Sequence, residues 1–321
     1  MDYITYPGRD YADMYCIIKT VEVKPNKKGV DYLDMELADK TGSINAKKWT
    51  VNPEDRDLQP GDFVKVRGTE TSFNGQPQLK VDIIRKVTEN DGIDISEYVP
   101  VACLPGEVML SEIEQVVASF KDEDFKSLVN AMLNKYKSRL VYWPAAQGFH
   151  HAVRGGLLMH TLSIVRVAEA ITGIYTYLNS DLLLSGIILH DIAKIEEISS
   201  SDLGVPGEYT PRGNLIGHLV IGAIEIEETG KMLGIPEEKT VLLEHMLISH
   251  HGIPEFGAAK YPMFSEALVL SLLDDLDAKL YEFRELTGEL EEGKFTKKLD
   301  FLDRRKLYKH PLENPGKIKL I

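Results

Sequence analysis

Leu182-Leu-Leu-Ser-Gly-Ile-Ile-Leu189-His190-Asp191-Ile-Ala-Lys194-Ile195 sets eight almost wholly apolar residues directly before a histidine–aspartate doublet. A helix apolar on every side belongs in an interior, and this one is far short of the ~20 residues that cross a bilayer. A carboxylate at its end is costly to bury unless it is paired or metal-bound. Lys194 falls one turn after His190 on the same face. Upstream, His160 shares a helical stripe with Ile164, Ala168 and Ile171. Downstream, His218 opens a helical stretch, and His250 follows Leu243 and Leu247 on one stripe, with His251 beside it and Gly252 as a stop signal. Asp274 aligns with Ala267, Leu270 and Ala278.

One histidine on an apolar stripe is ordinarily a satisfied core residue. Five successive helices each offering a His or Asp to one interior are not explained that way. Imidazole and carboxylate donors together suit Mn, Fe, Zn or Co. Six or seven of them exceed the needs of one ion, which predicts two, the arrangement that activates a bridging water and clamps both oxygens of a phosphoester displacement. Asp277 shares the face of Asp274, and both a supporting role and a plain surface role stay open. Asp275 points elsewhere, and His245 is off the ligand stripe and reads as structural. His150-His151 reads as a loop or as a group near substrate.

Residues 14 to 90 alternate with period two. Five short apolar-patterned segments are separated by turn signals at Asn26-Lys27-Lys28-Gly29, Lys40-Thr41-Gly42, Gln59-Pro60-Gly61-Asp62 and Asn74-Gly75. Five strands in so short a span suit a small closed barrel. The order Leu37-Ala-Asp39-Lys-Thr-Gly42, Ile44, Gly61-Asp62-Phe-Val-Lys-Val-Arg-Gly68 and the Asn74-Gly75 hairpin resembles an OB fold. Such barrels bind single strands through basic grooves and aromatic platforms. Tyr32, Trp49 and Phe73 are the candidate platforms, with Trp49 and Phe73 equally open to a packing role. Lys47, Lys48, Lys65, Arg67 and Lys80 are the candidate backbone contacts. The segment holds 13 basic and 12 acidic residues, so it is the least acidic part of the chain without being a basic patch.

The whole chain of 321 residues carries 37 basic and 50 acidic residues, net −13, which excludes a generally basic nucleic-acid coat and favours a local positive centre such as a bound metal. A hydrophobic content of 43% and a charged content of 27% exclude global disorder and fibrous classes. Two cysteines, Cys16 and Cys103, cannot make a disulfide framework, and no basic-then-apolar leader opens the sequence. The expectation is a soluble cytoplasmic protein with no membrane role.

The predicted organisation is multidomain α+β: an N-terminal extension over 1–13, an OB β-barrel over 14–90, a linker and helical connection over 91–149, an all-α domain over 150–284, and a tail over 285–321. Within the connection, apolar spacing predicts two helices over 111–141, with a capping box at Ser111 and Glu114. Faces on those helices leave homo-oligomerisation open. The tail's basic cluster (EEGKFTKK, DRRKLYKHP) reads as a solvated face.

His160, the His190-Asp191 doublet and Asp274 match the H…HD…D signature of the HD-domain metal phosphohydrolases, and His218 with His250-His251 resembles the branch holding a second metal. Joined to an OB barrel, the chain resembles the YhaM family of 3′→5′ exoribonucleases over nearly its whole length. That resemblance implies that His160, His190, Asp191 and Asp274 hold one ion, Asp191 bridging to a second on His218 and His250, with His251 as a further donor. It implies that Lys194 neutralises the scissile phosphate. It further implies two divalent ions, Mn²⁺ first among them, and attack of activated water on single-stranded RNA, or single-stranded DNA, to release nucleoside 5′-monophosphates. A cyclic-dinucleotide or free-nucleotide phosphodiesterase is the rival enzyme, although the stretch after His251 lacks a Gly-Tyr-Pro triplet. A non-catalytic nucleic-acid-binding protein is the rival from another class.

Overall fold

Period-two alternation becomes a barrel interior. The structure, a computed structural model, describes residues 4–5, 11–39, 42–73, 75–93, 98–146, 153–201, 203–288, 290–299, 302 and 304–312. It divides into two units, Met1–Val101 with Ser200–Gly207, and Ala102–Ser199 with Glu208–Ile321.

The first unit is built from β1 (Ile4–Thr5), β2 (Ala12–Pro25), β3 (Asp31–Asp39), β4 (Gly42–Lys48), β5 (Phe63–Phe73) and β6 (Gln76–Lys86). β2 pairs antiparallel with both β3 and β5, β3 with β4, and β5 with β6, while β4 and β6 run parallel. The last five strands therefore close on themselves in the order of an OB barrel, with β1 added against β2. Inward positions at every second residue (Met14, Cys16, Ile18; Leu33, Met35, Leu37; Ile44, Ala46; Val64, Val66; Leu79, Val81) form its core.

β2 departs from simple alternation because its first half is covered on both faces. Tyr15 and Ile17, which point out of the barrel, pack in a second cluster with Phe63, Tyr98, Val99, Leu203 and Val205. Leu203 and Val205 come from the hairpin of β7 (Ile198–Ser200) and β8 (Pro206–Tyr209). No strand was expected there from the helical pattern around it.

The second unit comprises α1 (Gly106–Ala118), α2 (Glu123–Leu140), α3 (Gly156–Ile174), α4 (Ser180–Leu189), α5 (Lys194–Glu197), α6 (Pro211–Ile216), α7 (His218–Leu233), α8 (Glu237–Ser249) and α9 (Ser265–Gly288). The expected capping box at Ser111 is a correction: α1 starts five residues earlier, after Pro105, and Ser111 sits within it. Gly106 is what permits that start, since a Cβ there would lie 1.8 Å from the Val141 carbonyl oxygen. The cap that does form is Asp122, whose carboxylate accepts from the amides of Asp124 and Phe125 at the head of α2.

α1 and α2 are more than a connection. Ile113, Val117, Leu128, Met132 and Tyr136 share one core with α3, α4, α8 and α9, so that apolar set is spent inside the unit. α3 is long and apolar enough to cross a membrane by length and composition, but half of it is buried in this core, and it presents His160 to the interior. Beyond α9, the tail forms antiparallel bridges between Phe295 and Tyr308 and between Leu299 and Arg305, anchored by buried Leu302 and Leu307.

Candidate metal centre

Two glycines bring the donor helices together. A Cβ on Gly186, one turn before His190, would meet Met246 of α8 at 2.1 Å, and one on Gly222 of α7 would meet Leu247 at 2.7 Å. The close approach of α4, α7 and α8 places the ring of His250 4.8 Å from that of His190 and 5.7 Å from that of His218, centroid to centroid. His190 and His250 each cap the C-terminus of their helix, directly after its last residue, where Nδ1 donates to a carbonyl of the preceding turn, Ile187 O and Leu247 O, both at 2.7 Å. His160 Nδ1 lies 2.7 Å from Asp277 Oδ2, and His218 Nδ1 lies 2.9 Å from Glu197 Oε2. With each Nδ1 engaged, each Nε2 is aimed at one interior.

Asp191 is the centre of that interior. Its Oδ2 lies 3.4 Å from His190 Nε2 and 3.7 Å from His160 Nε2, and its Oδ1 lies 3.3 Å from His218 Nε2 and 3.7 Å from His250 Nε2. Asp274 Oδ1 adds contacts to His160 Nε2 at 3.1 Å and His190 Nε2 at 3.7 Å. Lys194 Nζ is 2.7 Å from Asp191 Oδ2. Buried Asp191 Oδ1, His218 Nε2, His250 Nε2 and His251 Nδ1 have no hydrogen-bond partner among the described residues. Orphaned buried polar atoms are expensive, and here they are all metal-donor types facing one another. His218, His250 and His251 form one cluster with mutual donor spacings within 4.8 Å, and His160, His190 and Asp191 another.

The electrostatics say the same. Burial alone would push the His190 imidazole down, but Asp191 and Asp274 outweigh it and lift its pKa to about 10. Burial would raise the carboxyl of Asp191, yet Lys194 and His190 hold it well below the usual carboxylate range. Burial followed by the nearby His190 pushes His250 well down. A carboxylate pair, Asp191 buried and Asp274 partly so, that draws positive charge this strongly fits a divalent cation.

All the ligands expected from sequence, including His251, converge here. Asp277 resolves as a partner of His160, while Asp275 pairs with exposed Lys279 and His245 accepts from the Met263 amide. His150 and His151 lie outside the described residues. Glu197 was missed. Its Oε1 accepts from the backbone amide of His218 and faces Nδ1, both at 3.0 Å. It stands in a four-residue helix, too short for periodicity to mark which side is inside.

The barrel residues separate. Tyr32 and Trp49 pack with centroids 4.9 Å apart, and Lys47 Nζ lies 4.9 Å above the Tyr32 ring. Lys65 and Arg67 gather instead around buried Asp13, Arg67 with two hydrogen bonds of 2.6 and 2.9 Å. Phe73, at the β5–β6 turn, is exposed. Lys80 lies 3.9 Å from Asp82. Lys48 is a correction: it is buried, paired with Asp55 and donating to the Thr50 carbonyl at 2.9 Å, and offers no charge to a strand.

The HD domain family model matches residues 157–279, a span that begins just before His160 and ends just after Asp277. A second family model, TraI_2, matches residues 107–179. A curated relative, 3′-5′ exoribonuclease YhaM of Geobacillus sp. (strain WCH70), is 36% identical over 307 residues, covering 95% of this chain and 94% of its own. The chain belongs to the YhaM exoribonuclease family. Solved structures similar to part of it include a replication protein A heterotrimer bound to ssDNA, at 15% identity, TM-score 0.22, over 26% of this chain and 62% of that one. Another is the second OB-fold domain of replication protein A from Methanococcus maripaludis, at 21% identity, TM-score 0.20, over 23% and 81%. As a YhaM-family enzyme with an HD domain, the chain binds divalent metal, and the His and Asp clusters described above have the donor chemistry for it. Removing Glu197 should release the His218 ring: Glu197→Ala is expected to weaken Mn²⁺ binding by about 10–100-fold in calorimetry, and Glu197→Gln, which keeps an acceptor, by less. Equal affinities for all three proteins would refute this role.

Proposed function

We propose that the chain is a cytosolic, metal-dependent 3′→5′ exoribonuclease that shortens single-stranded RNA, and single-stranded DNA as a second substrate, to nucleoside 5′-monophosphates. The observation that carries the reading is the ring of imidazole Nε2 atoms around Asp191, on a chain 36% identical along 95% of its length to an enzyme named for that activity.

His160, His190, Asp191 and Asp274 would hold one ion, and His218, His250 and His251 a second, with Asp191 within reach of both groups of donors. Mixed imidazole and carboxylate donors make Mn²⁺ the first choice. When bound, such ions supply an acidified water and positive charge for the oxygens of the phosphodiester. The protein's own part is orientation and charge. Asp277 and Glu197 hold the rings of His160 and His218. Lys194 stays cationic because, although burial would depress it, Asp191 raises its pKa, and its ammonium adds positive charge where the scissile phosphate collects negative charge.

On the barrel, Tyr32 of β3, Lys47 of β4 and adjoining Trp49, together with Phe73 at the β5–β6 turn, occupy the strands and loop through which OB folds take oligonucleotides. They supply the stacking surfaces and cation for a single strand.

The test is Mn²⁺ dependence on 5′-labelled single-stranded RNA. The expected product is a ladder that shortens progressively while keeping its label, and that stops with chelator. Early release of the label as a mononucleotide would reverse the polarity, and cleavage that survives chelation would remove the metal from the reaction.

A further inference from the structure

We propose that Phe295 and Tyr308, with Lys294, Lys297, Lys298 and Lys306 around them, form a second single-strand-binding platform, carried by the same unit as the metal centre. It rests on the RNA reading above and adds a surface to it.

The pairing of the tail sorts its side chains. Thr296 N donates to Leu307 O at 2.9 Å and Lys309 N to Lys294 O at 3.0 Å, so Phe295 and Tyr308 face each other across two antiparallel segments. Leu302 and Leu307 take the inner positions. The two rings turn outward, 59% and 47% exposed, with centroids 4.7 Å apart. A cross-strand pair alone is a weak stabiliser, which does not account for leaving two large aromatics in solvent beside apolar residues that are buried.

Their surroundings are cationic. From 294 to 309 the sequence has seven basic and two acidic residues, in a chain whose net charge is −13. Lys294, Lys297, Lys298 and Lys306 are exposed, and among the described residues no ion pair holds them. Exposed rings interleaved with lysines match a nucleic-acid strand on two counts: bases stack on the rings, and phosphates meet the ammonium groups. An acidic protein repels such a strand elsewhere, so a local patch has a large effect on where it runs.

The placement is useful for a nuclease. Lys309 Nζ donates to the carbonyl of Gly288, the last residue of α9, at 2.8 Å. Asp274 lies 14 residues earlier in that helix, about 21 Å along its axis. A strand whose end sits at Asp274 can therefore be held some nucleotides away by the same rigid helix.

The test compares full-length wild type with Phe295→Ala/Tyr308→Ala and with Lys294→Ala/Lys297→Ala/Lys298→Ala/Lys306→Ala. Binding of a fluorescein-labelled single-stranded RNA is read by anisotropy in EDTA across a salt series, and Mn²⁺-dependent hydrolysis of bis(p-nitrophenyl) phosphate checks the metal centre. The aromatic variant is expected to bind about tenfold more weakly. The lysine variant should lose about three units of salt slope. Both should hydrolyse the small diester at the wild-type rate. Unchanged affinity and slope in variants of a wild type that does bind and shorten RNA would overturn the platform alone. An altered oligomeric mass with unchanged RNA binding would also overturn it, making the patch a self-association surface. A wild type that neither binds nor shortens RNA would overturn the parent reading, and this one with it.

Discussion

Asp191→Asn is expected to lower RNA turnover by at least about 10³-fold while leaving single-strand affinity within about twofold of wild type. The reason is geometric. One carboxylate faces four imidazoles, two from each of its oxygens, at 3.3 to 3.7 Å, whereas Asp274 reaches the second half of the donor set at 3.9 Å, through His250. Losing its charge removes a shared donor, and a catalytic metal is worth several kcal/mol of transition-state stabilisation. Asparagine keeps the shape and still offers an oxygen to Lys194, so the interior should stay packed. Alanine would leave the mostly buried Lys194 ammonium without its 2.7 Å partner and confound activity with stability. The measurement is single-turnover decay of labelled RNA at saturating Mn²⁺, beside anisotropy in EDTA. Turnover within tenfold of wild type would remove Asp191 from the chemistry.

The parts of this centre that were legible in the sequence share a physical cause. His160, His250 and Asp274 lie on long helices, where a polar residue on an apolar stripe is visible as a break in a 3.6-residue period. His190 and Asp191 follow a helix buried on every side, which fixes their surroundings whatever its rotation. Glu197 was invisible because its helix has four residues and its partner, His218, is 21 positions away. The hairpin 198–209 was hidden for a related reason: its apolar residues Leu203 and Val205 serve the cluster around Tyr15 and Phe63, so their pattern relates to no neighbour in sequence. The tail's basic run was visible as composition, but its sorting into outward rings and inward leucines depends on the pairing of Phe295 with Tyr308.

Lys48→Met is expected to destabilise the barrel by about 3–5 kcal/mol and to leave the salt dependence of RNA binding unchanged. A lysine flanked by Lys47 and Trp49 reads as a strand-binding residue when charge alone is considered. Parity says otherwise, because Ile44, Ala46 and Lys48 are the inward positions of β4. Its ammonium meets Asp55, itself buried and accepting from the Asn52 amide at 2.7 Å, so this one pair ties the end of β4 to the loop beyond it. Methionine fills most of the space but strands a carboxylate in the interior, the costly way to break a buried pair. Lys48→Met/Asp55→Leu removes both charges and should recover much of the loss. Chemical denaturation measures the stability and anisotropy across a salt series measures the binding. A stable Lys48→Met protein with a shallower salt slope would return Lys48 to the RNA surface. The expected pattern instead places Lys48 among the residues that hold the barrel closed from within and leaves strand binding to the surface side chains proposed above.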